Sequence, residues 1–405
     1  MDVVVSGASV AGPVVAHWLH RAGIEVTVVE QSPRLRRTGG HAVDLFTPAM
    51  DVLERMGVQD AVRDRATGTE RMIIRREGSD REVTIDMARL MGALSDRHVE
   101  IMRDDLSEIL YDATRHDVEY VFDDRITAID DDGVVTFERT PSRRFDAVIG
   151  ADGLHSGVRR LVFGPEAGYS RWLGGYIAVA TIPGERPPGL MTTVLGANRM
   201  VGIYGARHSP DARAFFLFRP PAELDVGHHD LARQKQLLHE TFGDLGDPVP
   251  GLLDEVDRSS AFYFDAITQL VLDTWSRGRV ALVGDAGYCP GPAVGGSTSL
   301  AVVGAHTLAG ELAEARGDTA TAYPAYEAAM ADYVHRSRDF ATTMARKLVP
   351  GTRAGVWALA TGTALVTRLP RAVGRPLIAL GSGDLGLHES IEIRRYPALG
   401  DPPPE

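Results

Sequence analysis

The chain has 405 residues and an apolar fraction of 44%, so it is long enough for two domains with hydrophobic cores. It carries 55 acidic and 43 basic residues, and the net charge of −12 argues against nucleic acid or an anionic membrane as the main partner. The single cysteine, Cys289, excludes an intrachain disulfide, a CxxC redox motif and a multi-cysteine zinc site, and it favours a cytoplasmic location.

The first segment, MDVVVSGASVAGPVVAHWLHRAGIEVTVVE, predicts a strand, a glycine loop, a helix and a second strand. It lacks the charged and apolar regions of a signal peptide, so export by that route is not expected. Gly7 suits a tight turn, and Gly12 suits close packing of the helix on the sheet. Ser9 replaces the expected middle glycine; it fits if its backbone torsions are ordinary, and its hydroxyl can then donate to a phosphate oxygen. Glu30 ends the second strand, where a carboxylate can bind an adenosine ribose, so the segment predicts a dinucleotide site unless its glycines are incidental.

Two later segments place a carboxylate directly after a buried strand. RRFDAVIGADGLHSGVRR predicts a strand over 147–150 and a turn at Asp152 and Gly153 that leads into a helix. GRVALVGDAGYCPGPAVGGSTSL predicts a strand, a turn at Asp285 and an apolar helix from about Ser299. The carboxyl ends of parallel strands line the ligand crevice of doubly wound sheets, and the free amides of a helix N-terminus there can hold an electron-rich group of a ligand.

These three segments, in this order, resemble the FAD-dependent aromatic hydroxylases, the class A flavoprotein monooxygenases typified by p-hydroxybenzoate hydroxylase and tetracycline-inactivating monooxygenases. The second segment matches the family pattern GADGxxSxVR, and the third matches a GD pair followed by a proline and a glycine loop. The resemblance covers most of 1–165 and 275–345. It implies FAD contacts from Gly7, Ser9, Gly12, Glu30, Asp44, Arg103, Asp152, Gly153, Asp285, Pro292 and Gly295.

The resemblance also implies individual roles for some of these residues. The motif around Asp152 is associated with both FAD and NAD(P)H, and Asp285 is expected on the ribityl chain. Arg103, in IMRDDLSEIL, corresponds to an arginine that precedes a short helix and contacts the cofactor, and Asp44, in GGHAVDL, is expected nearest the isoalloxazine. The last loop reads GGS, so Ser297 replaces a second glycine where the flavin ring is expected.

The predicted fold class is α/β: a Rossmann-like FAD-binding domain interrupted by a substrate domain with a mostly antiparallel β-sheet, followed by C-terminal helices. The predicted domains are a discontinuous FAD-binding domain (1–70, 101–167 and 273–348), a substrate-binding domain (71–100 and 168–272) and a C-terminal helical tail (349–405). The apolar stretch AGVWALATGTALV in the tail is too short to span a membrane and predicts a packed helix. Arg213 and Arg219 flank a strand of the substrate domain and are expected to face solvent.

The resemblance implies that NAD(P)H reduces FAD and that a flavin hydroperoxide formed with O₂ delivers one oxygen atom to a bulky aromatic, polyketide or antibiotic-like molecule. The sequence shows no Ser-His-Asp order, metal-ligand cluster or P-loop lysine, so no metal site is predicted and the chemistry is assigned to the cofactor. His41 is the one weak catalytic candidate, able to polarise a substrate phenol, and a purely structural role for it stays open.

Three other functions compete with hydroxylation. A flavin-dependent halogenase is disfavoured because the family signature WxWxIP is absent from the chain. A flavin-dependent reductase or oxidase without oxygen transfer, and a non-catalytic flavin- or ligand-binding protein, both remain open. The sequence leaves undecided the substrate, the choice between NADH and NADPH, and whether the protein is a monomer or a homodimer.

Overall fold

A computed structural model describes residues 1–35, 39–207, 209–292, 296–370 and 391–400, with residues 373–374, 376–377 and 387. Gly295, one of the predicted cofactor-binding residues, lies outside the described residues. None of the described helices is both long enough and apolar enough to cross a membrane.

The described strands are β1 (Asp2–Ser6), β2 (Glu25–Glu30), β3 (Ala42–Leu45), β4 (Arg71–Arg76), β5 (Glu82–Asp86), β6 (Val99–Met102), β7 (Glu119–Phe122), β8 (Ile126–Ile129), β9 (Val134–Phe137), β10 (Arg143–Arg144), β11 (Ala147–Gly150), β12 (Ser170–Pro183), β13 (Leu190–Gly196), β14 (Arg199–Gly205), β15 (Asp211–Phe218), β16 (Phe262–Leu270), β17 (Ser276–Arg277) and β18 (Val280–Leu282). The described helices are α1 (Ala11–Arg21), α2 (Thr47–Arg55), α3 (Gln59–Asp64), α4 (Met87–Leu94), α5 (Arg103–Asp112), α6 (Gly157–Phe163), α7 (Leu231–Phe242), α8 (Val249–Arg258), α9 (Asp285–Tyr288), α10 (Ser297–Glu314), α11 (Thr319–Leu348) and α12 (Arg353–Arg368).

The first large sheet is Rossmann-like, with six strands in the order β17-β18-β11-β1-β2-β7. All of its neighbouring strands are parallel except the antiparallel edge pair β17–β18. Its central strands β1 and β11 are almost entirely buried, which explains their continuous apolar runs, because a parallel sheet covered on both faces has no solvent side. β11 occupies the 147–150 range that the sequence predicts. The loops after β1, β2, β11 and β18 all emerge at the carboxyl edge of this sheet.

The second large sheet has seven strands in the order β16-β12-β15-β14-β13-β4-β5. Its neighbouring strands are antiparallel except for the parallel pair β13–β4, so the sheet is mixed rather than purely antiparallel. One face packs on α7 and α8, where Phe216 meets Phe242. The other face packs on the end of α11 and on α12, through residues such as Ala345 and Ala360. The predicted α/β fold class with a second, mostly antiparallel sheet and C-terminal helices is therefore confirmed.

The 30-residue helix α11 connects the two hydrophobic cores. Tyr326 and Tyr333, in its first half, are buried with the first sheet, whereas Ala341 and Ala345 are buried with the second. The chain later returns to the first core at Tyr396, whose buried hydroxyl donates to Glu311 on α10 at 2.8 Å. A single long helix thus fixes the two sheets relative to each other.

One arginine of the second sheet is not where the sequence predicts it. Arg213 is 5% exposed, so the expectation that it faces solvent is wrong. The physical reason is that β15 lies between β12 and β14 in a sheet with both faces covered, which leaves its side chains no solvent face. Arg219, just after β15, is half-buried, and it donates to backbone carbonyls at the end of α11.

Candidate active site

A cavity of about 590 Å³, here called the main pocket, lies at the carboxyl edge of the first sheet. The predicted residues that line it are Gly7, Ser9, Glu30, His41, Arg103, Asp152, Gly153, Asp285 and Pro292. Gly12 and Asp44 do not line it. A second cavity, of about 510 Å³, is lined by residues such as Glu77, Arg199 and Arg353 and includes none of the predicted residues. The main pocket is therefore the place where residues far apart in sequence meet.

The glycine loop between β1 and α1 forms one end of the main pocket. Gly7 has a φ of +105°, and a Cβ on it would lie 2.5 Å from the carbonyl oxygen of Ala151, so two loops approach closely there. A Cβ on Gly12 would collide with the carbonyl oxygen of Gly7, which is the close packing that the sequence predicts. Ser9 is not among the described non-glycine residues with positive φ, so the serine fits the middle position without backbone strain.

Two helix N-termini lie at the main pocket. α1 has no side-chain cap and no acidic residue in its first turn, and Ala11 lines the cavity. α10 likewise has no side-chain cap and no acidic residue in its first turn, and Ser297 and Thr298 line the cavity. Uncapped N-termini carry partial positive charge and unpaired N–H groups, so each suits an anionic or electron-rich group of a ligand.

Glu30 is held at the end of β2 by backbone amides. Its Oε2 accepts from the N–H of Ala8 at 3.0 Å, and its Oε1 accepts from the N–H of Ser32 at 2.9 Å. Each carboxylate oxygen can accept more than one hydrogen bond, so Glu30 retains capacity for the hydroxyls of a ribose.

Arg103 brings a positive charge to the glycine loop. Its Nε donates to the hydroxyl of Ser9 at 3.3 Å, and its backbone N–H donates to the carbonyl of His41 at 3.0 Å. Burial, and then the charge of Arg103, lower the pKa of His41 to about 4. The His41 ring stacks on Tyr263 with 5.8 Å between the ring centroids. His41 is therefore a neutral imidazole at neutral pH, held against the second sheet.

The two carboxylates that follow β11 and β18 are held differently. Asp152 accepts from the hydroxyl of Ser156 and from the backbone amides of Gly157 and Val158, at 2.8 and 3.1 Å, so it holds the start of α6. Burial raises the pKa of Asp152. Burial also raises the pKa of Asp285, and the nearby charge of Arg103 opposes this shift. Asp152 is thus largely occupied within its own loop, whereas Asp285 faces the cationic side of the pocket.

Asp44 lies outside the main pocket, in a separate polar cluster. Its Oδ1 is 2.7 Å from Nε2 of His98. Burial, and then the charge of Asp44, raise the pKa of Glu100, which accepts from the hydroxyls of Thr67 and Thr69. The role of Asp44 next to the isoalloxazine stays a prediction.

The sequence reasoning gave no role at the main pocket to Arg213, which contacts two residues that line it. Arg213, on β15, donates through Nε to the carbonyl of Gly40 at 3.0 Å and lies 3.7 Å from Asp104, which itself accepts from the N–H of Gly40 at 2.8 Å. The segment before β3 is therefore held by β15 of the second sheet and by α5. No local pattern marks Arg213, because its partners lie more than a hundred residues away in sequence.

Asp265 and His155 were also missed, and both line the main pocket. Asp265 is an acidic residue inside the buried strand FYFDAITQL, and a carboxylate in an apolar strand is a usable sequence signal. His155 Nε2 lies 2.9 Å from Asp265 Oδ2, and its Nδ1 lies 3.4 Å from Glu166. Burial acts to lower the pKa of His155, but hydrogen bonds to Asp265 and Glu166 outweigh it and raise that pKa to about 9.

The donor set of the main pocket fits a flavin dinucleotide. The α1 N-terminus, Ser9 and Arg103 suit a pyrophosphate, Glu30 suits ribose hydroxyls, and the α10 N-terminus suits the pyrimidine edge of a flavin. These groups line or contact one cavity. Neither helix has an acidic residue in its first turn, so no carboxylate there would repel a bound phosphate.

This chain is similar to known proteins along most of its length. Residues 1–347 match the family model described as an FAD binding domain. An uncharacterised protein of Mycobacterium tuberculosis is 44% identical over 341 residues, which cover 83% of this chain and 91% of that protein. A flavin-dependent monooxygenase of Legionella longbeachae is 36% identical over 345 residues, which cover 84% of this chain and 87% of that protein. The crystal structure of tetracycline destructase Tet(55) is 31% identical, with a TM-score of 0.80, and the match covers 97% of this chain and 98% of that one.

Proposed function

Because this chain belongs to the FAD-binding family of flavin-dependent monooxygenases, we propose that it uses NAD(P)H and O₂ to hydroxylate a bulky aromatic small molecule of polyketide or antibiotic type. When bound, FAD would supply the electron transfer and the activation of O₂. The protein's own residues would bind the cofactor, position the substrate and exclude water.

One observation carries this proposal: the main pocket is built from both sheets. Tyr263 and Asp265 of β16 line the same cavity as Gly7, Arg103 and Asp285, which belong to the loops of the first sheet and to α5. A molecule held by the second sheet would therefore lie beside a cofactor held by the first. This arrangement supports the division into an interrupted FAD-binding domain and a substrate-binding domain.

Support for a bulky substrate comes from the comparisons rather than from an apolar wall. Met102 of β6 is buried with Met191, Tyr204 and Ala206, and Phe215 packs against them, so this apolar cluster is packed core and does not line the main pocket. The likeness to a tetracycline destructase supports a fused-ring molecule as the substrate class.

His41 is the residue that we propose to face the reacting part of the substrate. Its low pKa leaves the imidazole neutral at neutral pH, and stacking on Tyr263 fixes its ring plane. A neutral imidazole can accept a hydrogen bond from a phenolic hydroxyl, which would increase electron density on the ring to be hydroxylated.

The test follows NADH and NADPH oxidation by the FAD-loaded protein with a panel of polycyclic phenols that includes tetracycline, while product mass and hydrogen peroxide are measured in parallel. The proposal predicts that at least one compound accelerates oxidation and gains one oxygen atom. Acceleration with peroxide as the only product of O₂ would favour an oxidase. A yellow protein whose NAD(P)H consumption no compound changes would favour a binding role.

A matched pair of variants tests the assignment of the cofactor site. Arg103→Gln removes the cation beside Ser9, and since a hydrogen bond to a charged group contributes about 1.5–3 kcal/mol, the Kd for FAD should rise about 10- to 100-fold. Arg65→Gln is the control, because Arg65 pairs with Glu108 at 2.7 Å and does not line the pocket. Equal FAD affinity in the two variants would contradict the assignment.

A further inference from the structure

Two histidines and a buried aspartate from three separate segments converge beside the main pocket. His155 lies between β11 and α6, His228 lies before α7, and Asp265 lies on β16. His155 Nε2 is 2.9 Å from Asp265 Oδ2, and His228 Nδ1 is 4.0 Å from Asp265 Oδ1. The ligating atoms of all three side chains lie within 4.8 Å of one another, and over the part of the chain that the structure describes this is the one such group of three.

The arrangement has the dimensions of a metal site. Three atoms that are at most 4.8 Å apart all lie within about 2.8 Å of some common point, where a cation could sit. Zinc binds nitrogen and oxygen ligands at about 2.0–2.2 Å, so movements of less than about 1 Å would complete the coordination. Two imidazoles and a carboxylate are donors that zinc and its neighbouring divalent transition metals accept.

The groups around the three ligands are those that orient metal ligands. Glu166 Oε1 lies 3.4 Å from Nδ1 of His155, the ring nitrogen that faces away from Asp265, and Glu166 is in turn bonded to the buried Arg159 at 2.5 Å. Tyr263 donates its hydroxyl to Asp265 Oδ2 at 3.2 Å. A carboxylate on the far nitrogen of a ligating histidine is a recurrent outer-sphere feature of metal sites.

An ion pair explains why His155 lies between two carboxylates, and the ring of His228 packs against it with 3.8 Å between ring centroids. Burial, and then the charge of His155, lower the pKa of His228, so in the absence of a cation a neutral ring lies against a charged one. A cation in the position of the proton that His155 shares with Asp265 would satisfy both rings and the 5%-exposed Asp265 side chain together.

We propose that His155, His228 and Asp265 bind one divalent transition-metal cation of the zinc type at the edge of the main pocket. The cation would connect the loop after β11 to the second sheet and to the segment before α7, and it would leave coordination positions open to water or a ligand. The proposal goes beyond the monooxygenase function and does not depend on it, because no step of that reaction is assigned to the metal.

The experiment measures Zn²⁺ affinity of the FAD-loaded protein by competition with a chromophoric chelator. The wild type should bind one equivalent. His228→Ala should weaken binding by more than the roughly 10- to 100-fold loss that follows removal of an outer-sphere partner, and Glu166→Gln should give a loss within that smaller range. His239→Ala is the matched control, because His239 is an exposed imidazole 3.0 Å from a single carboxylate, Asp257, and its removal should leave the affinity unchanged.

FAD content and far-ultraviolet circular dichroism establish whether each variant is folded, and His228 does not line the main pocket, so FAD binding should persist in His228→Ala. If that variant is unfolded, Glu166→Gln decides the question, and a Zn²⁺ affinity equal to that of the wild type would then overturn the proposal. The proposal is overturned if the wild type binds no equivalent of Zn²⁺, if folded His228→Ala binds as tightly as the wild type, or if His239→Ala loses as much affinity. A failure of hydroxylation with intact Zn²⁺ binding would contradict only the proposed function.

Discussion

A single methyl group added at Gly7 should damage the cofactor site in two ways, through the backbone conformation and through a close contact. Its φ of +105° is unfavourable for any residue with a Cβ, at a cost of about 1–2 kcal/mol. The added Cβ would also lie 2.5 Å from the carbonyl oxygen and 2.8 Å from the carbonyl carbon of Ala151. Such overpacking typically costs about 1–3 kcal/mol. Together with the backbone cost, Gly7→Ala should therefore lower the free energy of unfolding by about 2–5 kcal/mol.

Two other glycines separate these contributions. Gly57 has a φ of +76° but no heavy atom within 4 Å of an added Cβ, so Gly57→Ala should show the backbone cost alone, about 1–2 kcal/mol. Gly362, inside α12, has neither a positive φ nor a neighbour within 4 Å, so Gly362→Ala should stabilise the protein by up to about 1 kcal/mol.

Equilibrium urea unfolding of the three variants gives the stabilities, and titration of the apoprotein with FAD gives the affinities. Gly7→Ala should also weaken FAD binding, because the loops after β1 and β11 line the pocket on either side of the contact. The other two variants should bind FAD as the wild type does. A stability loss in Gly7→Ala no larger than that in Gly57→Ala would show that the close approach to Ala151 costs nothing, and the reasoning would fail.

Two further predictions concern the pocket walls. The pKa of His41 is lowered from 6.5 to about 4 in the folded protein, so between these values protons bind the unfolded chain preferentially. Lowering the pH from 7 to 5 should therefore lower the free energy of unfolding by about 1–2 kcal/mol. Urea unfolding at the two pH values should show a smaller loss in His41→Gln, and an unchanged loss would remove His41 as its source. Asp152→Ala should lower stability by at least about 1–2 kcal/mol and weaken FAD binding, since it removes the acceptor for two amides of α6. Asp230→Ala is the control for Asp152→Ala. It removes the exposed N-cap of α7, so it should lower the free energy of unfolding by about 1 kcal/mol without changing the affinity for FAD.

The sequence by itself determined the features that depend on neighbouring residues. The glycine loop, the strand over 147–150 and the turn at Asp152 follow from apolar periodicity and from the backbone freedom of glycine, which act within a few residues. Because these loops belong to parallel strands of one sheet, their shared edge was also predictable, and most of the predicted cofactor residues line one pocket.

Only the tertiary structure decided which side chains from the second sheet meet that pocket. Arg213 reaches Gly40 across 173 positions, and Asp265 reaches His155 across 110, so no local pattern could pair them. A strand pattern gives the alternation of faces but not what covers each face, which is why Arg213 was wrongly expected in solvent. The contact between Asp44 and His98 likewise depends on the pairing of β3 with β6, which no local pattern gives. The physical reason is that strand order and sheet packing depend on burial summed over the whole chain, whereas the residues of a motif reflect only the backbone geometry and contacts of their own loop.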